Sequence, residues 1–315
     1  MDEIADPLYN PNRYGPSKKI IADSLELLVE EHKIFMQEGR QGLRPMFFKT
    51  DKIAEIVFTL CDFFVVEEIV RYATIEIFNR FEIEHIRSAF VYFRSEYKQI
   101  TDLKRRWYEV EKIIVYQLPL RILTCLQICA KIYASNNNKN QITVNEIKNL
   151  LDRITGNSHA SNIILDSEVY VLETLQYDLG VIMPYTFVET LLEALGFDLR
   201  ETKIQALHKP CVALLDITYM RHTQIYERIN REFYANNPKK VLTDLSKMII
   251  KYDYKLLAVA IVTSASFVVA GNENKSFPFK VIDKLSNWSS IAFSDIQKFT
   301  FGILEIIKGD YSKVK

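Results

Sequence analysis

Hydrophobic positions recur at three- and four-residue intervals along most of the chain, and no stretch of useful length alternates apolar with polar. That periodicity predicts an all-α fold. The densest segment covers residues 117–134, QLPLRILTCLQICAKIYA, where Pro119 suits a first helical turn and the residues after it are nearly all apolar or small. It reads as a helix buried on most sides. Its polar residues Arg121, Thr124, Gln127 and Lys131 follow at intervals of three, three and four. They therefore share one narrow stripe, the exit from the core, with Lys131 at its C-terminal end. A second segment, residues 163–179, carries Leu165, Val169, Leu172 and Leu175 as an apolar stripe with Glu168 inside it. A carboxylate there needs a cation or the surface, because breaking a buried pair costs roughly 3–5 kcal/mol. Lys131 is the candidate neighbour.

The remaining pattern divides the chain. Residues 1–16, with Pro7, Pro11, Gly15 and Pro16, predict a poorly ordered lead-in. Ser17 then caps a helix to about residue 38, with Ile21, Leu25, Leu28 and Phe35 in phase, and the Gly-Leu-Arg-Pro stretch after Gln41 breaks it. A first domain over 51–179 holds helices at 52–64 (Ile56, Leu60 and Phe63 in phase), 67–81, 117–134, 143–152 and 163–179. Thr143 and Glu146 have the spacing of a capping box. Polar loops are expected at 135–141 and 153–162, and Gly180 to Pro184 reads as a linker. A second domain over 184–308 repeats the architecture loosely, with helices at 185–195, 202–219 (breaking at Pro210), 222–234, 242–250, 254–270, 278–286 and one from Ser294 to about 308. Residues 256–270 would be its central helix.

Composition narrows the function classes. Hydrophobic residues make up 48% and charged residues 25%, which fits a folded chain, and forty basic residues balance forty acidic ones to a formal charge of zero. That balance argues against direct nucleic-acid binding, which needs a local excess of Lys and Arg. The longest apolar run, 256–270, falls short of the ~20 residues of a membrane span, and the N-terminus lacks a signal-peptide layout. Cys61, Cys125, Cys129 and Cys211 form no CxxC and have no histidine at ligand spacing, so they read as buried free thiols of a reducing compartment rather than a metal site. No phosphate-binding loop, HExxH or GxSxG occurs, and the five histidines are scattered. A noncatalytic protein without a cofactor or metal is expected.

One region between the second and central helices, residues 87–112, interleaves aromatics with the basic run Lys104-Arg105-Arg106 and Trp107. A solvated helix face, a nucleic-acid surface and a protein-docking insertion are all compatible with it. Glu96, Asp102, Glu109 and Glu111 interrupt its charge and favour the first.

The central helix ending Ala130-Lys131, followed by Glu168, Val171, Leu172, Leu175, Tyr177 and Leu179, resembles the third and fifth helices of a cyclin box. The stretches at 52–64, 72–81 and 184–197 extend the resemblance over about 18–308, to a divergent cyclin-like family of meiotic crossover regulators. The resemblance implies a five-helix cyclin box followed by a second, degenerate cyclin-like domain. It also implies an N-terminal helix packed across the domain junction, although an ordinary accessory helix fits the sequence equally. In cyclins the matching lysine and glutamate anchor the movable helix of a cyclin-dependent kinase. Lys131, Glu168, Gln127 and Arg121 are then the candidate kinase-binding residues, with Lys104, Arg105, Arg106 and Trp107 as a second interaction patch. Expected partners are a cyclin-dependent-type kinase and meiotic recombination proteins, on germline chromosomes in the nucleus. Residues 51–55, Asp-Lys-Ile-Ala-Glu, lack the family's Met-Arg-x-Ile-Leu docking patch, which puts substrate recognition through that groove in doubt. A kinase-independent scaffold that binds recombination proteins through the 87–112 insertion and the second domain is the alternative, as is a plain helix-crossing salt bridge between Lys131 and Glu168.

Overall fold

A computed structural model describes residues 17–40, 51–96, 103–133, 141–199, 202–235, 250–271 and 274–311. The segments expected to be disordered (1–16) or to break the first helix (41–45), the predicted helix 242–250 save its last residue, and nearly all of the 135–141 loop lie outside them. Among the described residues there are helices and no strands, as the periodicity predicts. They fall into two compact units, Phe47–Val181 and a second built from Met1–Met46 with Ile182–Lys315.

The first unit is a box of five described helices: α2 (Asp51–Phe64), α3 (Glu68–Glu96), α4 (Leu103–Tyr133), α5 (Val144–Thr155) and α6 (Ser161–Thr174). α4 is its axis and packs against the other four. Residues 122–130 are buried without exception. Burial of Ile122, Leu123, Leu126 and Ile128 contributes about 1.5–3 kcal/mol per side chain to the box. α4 is long and apolar enough to cross a bilayer by composition alone, yet its apolar centre is occupied by its own neighbours. The predicted capping box is present: Thr143 Oγ1 accepts from the Glu146 N–H at 3.3 Å, the Glu146 carboxylate accepts from the Thr143 N–H at 2.8 Å, and Gly156 closes α5 in the left-handed conformation.

Three boundaries depart from the sequence reading. α3 runs fifteen residues past Phe81, and α4 starts at Leu103, with Pro119 inside the helix rather than in its first turn. The lost N–H of Pro119 costs one intrahelical bond. Aromatic packing offsets it: Trp107 meets Phe90 at 5.1 Å and Phe93 at 5.4 Å, and Phe93 and Ile114 are buried. The region 87–112 is therefore largely the arms of two long helices. α6 in turn stops at Thr174, and Gln176 and Tyr177 take left-handed φ values of 54° and 58°. Leu175, Tyr177 and Leu179 lie beyond the helix.

The second unit consists of α1 (Lys18–Arg40), α7 (Pro184–Leu199), a 3₁₀ turn (Thr202–Leu207), α8 (His208–Met220), α9 (His222–Ala235), α10 (Tyr254–Ala270), α11 (Phe277–Ser289) and α12 (Phe293–Tyr311). Pro210 sits in the first turn of α8, where its missing N–H is tolerated, and the break falls before it. Ser294 lies within α12 rather than at its cap. α10 is the core, nearly every residue from Tyr254 to Ser266 being buried. α1 packs against α7 and α10. Its buried face includes Ile21, His32 and Met36, and His32 Nε2 accepts the Tyr254 N–H at 3.1 Å.

Candidate functional site

The polar stripe of α4 is not an exit to solvent along its length. Thr124 and Gln127 are buried, and the stripe is spent on the neighbouring elements. Arg121 Nη1 donates to Ser167 Oγ of α6 at 2.7 Å and its guanidinium lies 4.6 Å over the Tyr170 ring. Thr124 Oγ1 and Ser167 Oγ are 2.7 Å apart. Gln127 Nε2 donates to the Ile142 carbonyl at 3.2 Å. Gln127, expected at the partner surface, is 1% exposed and orders the start of α5 instead. Arg121 is half-buried and bound to α6.

Only the end of the stripe reaches the surface. Lys131 stands in the last turn of α4, where a cation is favoured by the helix dipole. Its Nζ donates to Glu168 Oε1 at 2.5 Å, the two side chains being 47% and 17% exposed. The two residues meet as their spacing predicts, but α6 buries a different face from the expected stripe of Leu165, Val169, Leu172 and Leu175. The buried stripe is Ile164, Ser167, Val171 and Leu175, while Leu165 and Val169 are 49% exposed. Glu168 thus lies on the edge of the buried face, flanked on its outer side by apolar residues. Ile132, next to Lys131, is also exposed. An ion pair set in an apolar surface is what a protein partner with an amphipathic helix could cover.

Two residues unread in the sequence shape the C-terminal side of this surface. Arg80 of α3 donates to the Gly180 carbonyl at 2.8 Å and the Asp178 carbonyl at 3.0 Å, and pairs with the Asp178 carboxylate at 3.0 Å. The Tyr133 hydroxyl donates to the Leu179 carbonyl at 3.2 Å. Together they fix the turn in which Tyr177, 64% exposed, is held in a left-handed conformation costing about 1–2 kcal/mol.

Buried ionisable groups surround α4. Glu82 of α3 is 1% exposed and its carboxyl is pushed up to about 7 by burial, Arg121 pulling the other way. Burial likewise raises the thiols of Cys129, to about 12, and of Cys125. All four cysteines are buried. Their thiols are packing groups, and among the described residues no cluster of His, Cys, Asp and Glu could hold a metal. The second patch is split: Lys104, Arg105 and Arg106 are exposed in the first turn of α4, whereas Trp107 is half-buried and packs edge-on against Phe90 and Phe93 of α3.

No family model matches the chain. Human cyclin N-terminal domain-containing protein 1 is 30% identical over 289 residues, covering 90% of this chain and 83% of the human protein. The mouse protein of the same name is 28% identical over 290 residues, covering 90% and 82%. Similarity at that level along nearly the whole chain, together with a five-helix box and a second helical unit, identifies the chain as a member of the cyclin N-terminal domain-containing protein 1 family, with an all-α cyclin-like fold.

Proposed function

We propose that this protein is a noncatalytic cyclin-like regulator that binds a cyclin-dependent-type kinase and promotes crossover maturation on meiotic chromosomes in the germline nucleus. The Lys131–Glu168 pair, held at the surface where α4 ends beside α6, carries the kinase reading. An ammonium has three donors, and Glu168 takes one. The remaining donors and the second carboxylate oxygen suit the polar groups of an approaching helix, and Leu165, Val169 and Ile132 supply apolar contact. A kinase needs its own Lys–Glu pair and activation loop aligned, so stabilising that arrangement switches it on without chemistry in this chain. Capture of kinases from germline extract by the wild type, Lys131→Ala and Glu168→Ala tests this. Wild-type capture should fall about tenfold or more in each variant; equal capture by all three, or none by the wild type, rejects it.

A second reading, a kinase-independent scaffold for recombination proteins, draws on the α3–α4 arms. Tyr92, Tyr108, Ile113 and Tyr116 are each more than half exposed there, beside Lys104, Arg105 and Arg106. Recovery of recombination proteins that survives the Lys131 and Glu168 changes but is lost with Tyr108→Ala and Tyr116→Ala would favour it.

A further inference from the structure

Ser167 sits one residue before Glu168, and its hydroxyl is the point where α6 is tied to α4. The Thr124 hydroxyl donates to the Leu120 carbonyl at 2.8 Å. Its proton being committed, the Ser167 hydroxyl must donate to Thr124 and accept from Arg121, giving a one-way relay from Arg121 through Ser167 to Thr124. Arg121 has a second claimant. Glu82 is close enough for the two to couple electrostatically, yet neither of its carboxyl oxygens has a hydrogen-bond partner, and the buried Arg121 Nε donates to nothing. Burial of a carboxyl whose two oxygens find no partner favours its neutral form.

We propose that Arg121 is a positioning residue contested between α3 and α6: with Glu82 protonated it holds Ser167 and keeps Glu168 in register with Lys131, and when Glu82 ionises it is drawn toward α3 and α6 loosens. The consequence for kinase binding rests on the function proposed above; the switch itself does not. The groups around Glu82 support it. From α4 come Arg121 and Cys125, and Arg121 in turn lies 4.6 Å over the ring of Tyr170 of α6, whose hydroxyl is 2.7 Å from His85 Nδ1. Cys61 of α2 faces the Cys129 thiol of α4. Burial, and then Arg121, lower His85 below its ordinary value. Burial brings the Glu82 carboxyl to about 7, which makes both states accessible near neutrality.

Hydrogen exchange of the α6 amides, measured on the full chain at about pH 6 and about pH 8 and corrected for intrinsic rates, tests the switch. Wild-type α6 should lose about tenfold of its protection at the higher pH. Glu82→Gln should stay protected at both, and Ser167→Ala should be weakly protected at both. Wild-type protection that ignores pH, or a pH response that survives in Glu82→Gln, overturns the proposal. Should that variant not fold, the infrared carboxylic-acid band of the wild type decides: it must be present at the lower pH and lost at the higher, and its absence at the lower overturns the proposal. Capture of a kinase at the two pH values reports separately on the function, so loss of either result leaves the other standing.

Discussion

Each unit is built around one apolar helix, but α4 and α10 use their polar residues differently. In α10, Thr263 and Ser264 donate to the carbonyls of Val259 and Ala260, and Ser266 to that of Thr263, all within the helix. In α4, Arg121, Thr124, Gln127 and Lys131 reach α6 or the start of α5. The ends differ too: α4 carries the charge of Lys131 in its last turn, whereas α10 ends at Ala270 with no basic residue in its last turn and is followed by Gly271. A hydroxyl bonded to its own backbone is a satisfied core group. A polar side chain bonded to another helix fixes that helix in register, and in this protein the register delivers a charged pair to the surface.

The comparison should break first at the cores, and by similar amounts. Leu126→Ala in α4 and Ile261→Ala in α10 both remove fully buried side chains and should each cost about 2–5 kcal/mol in denaturant unfolding. The next effect should be unequal with pH. The folded-state value for Glu82 is raised, so its contribution to stability is full below the ordinary carboxyl value of 4.5 and is lost as pH climbs to about 7. The difference between wild type and Glu82→Gln should shift by about 3 kcal/mol across that window. His32 in the second unit has the opposite sign. Burial lowers it, so its neutral form stabilises above 6.5 and stability is lost as pH falls below that value. Protonation would remove the lone pair that accepts the Tyr254 N–H, so exchange in α1 and the start of α10 should quicken on acidification.

Smaller effects sharpen the contrast. Ser167→Ala removes the acceptor of Arg121 Nη1 and the α6 partner of Thr124 and should cost about 1–3 kcal/mol, while Ser264→Ala removes only a back-bond and should be within about 0.5 kcal/mol of neutral. The smallest concerns the helix ends. α10 ends on Gly271 with φ 53°, but α2 ends on Val65 with the same φ, and Val65 is 74% exposed. Val65→Gly should therefore stabilise the box by about 0.5–1 kcal/mol, read as a higher unfolding midpoint.

The parts legible in the sequence were those where one periodicity dominates: residues 122–130, the run to Ala270, the capping box at Thr143, and the meeting of Lys131 with Glu168. The faces of α6 were not legible because the helix is apolar almost all round. Ile164 and Val171 are buried, Leu165 and Val169 are not, and only the neighbours decide which. The same ambiguity put Ile56 and Phe63 of α2 in the expected core, where the structure exposes them. The α3–α4 arms are not legible because Pro119 reads as a helix start, whereas flanking helix on both sides absorbs one lost bond. Glu82 and His32 look like ordinary polar positions until tertiary packing buries them. An acidic or imidazole residue in phase with a core stripe was the signal available.

The central claim is that a partner reads Lys131 and Glu168, and the charge-swapped pair tests it most directly. Lys131→Glu and Glu168→Lys each break the internal bridge, and the double swap restores it with the charges exchanged. Kinase capture from germline extract should fall about tenfold or more in both single variants and stay low in the double variant, because a partner reads which residue carries which charge. Full recovery in the double variant would show that the pair only braces α4 against α6.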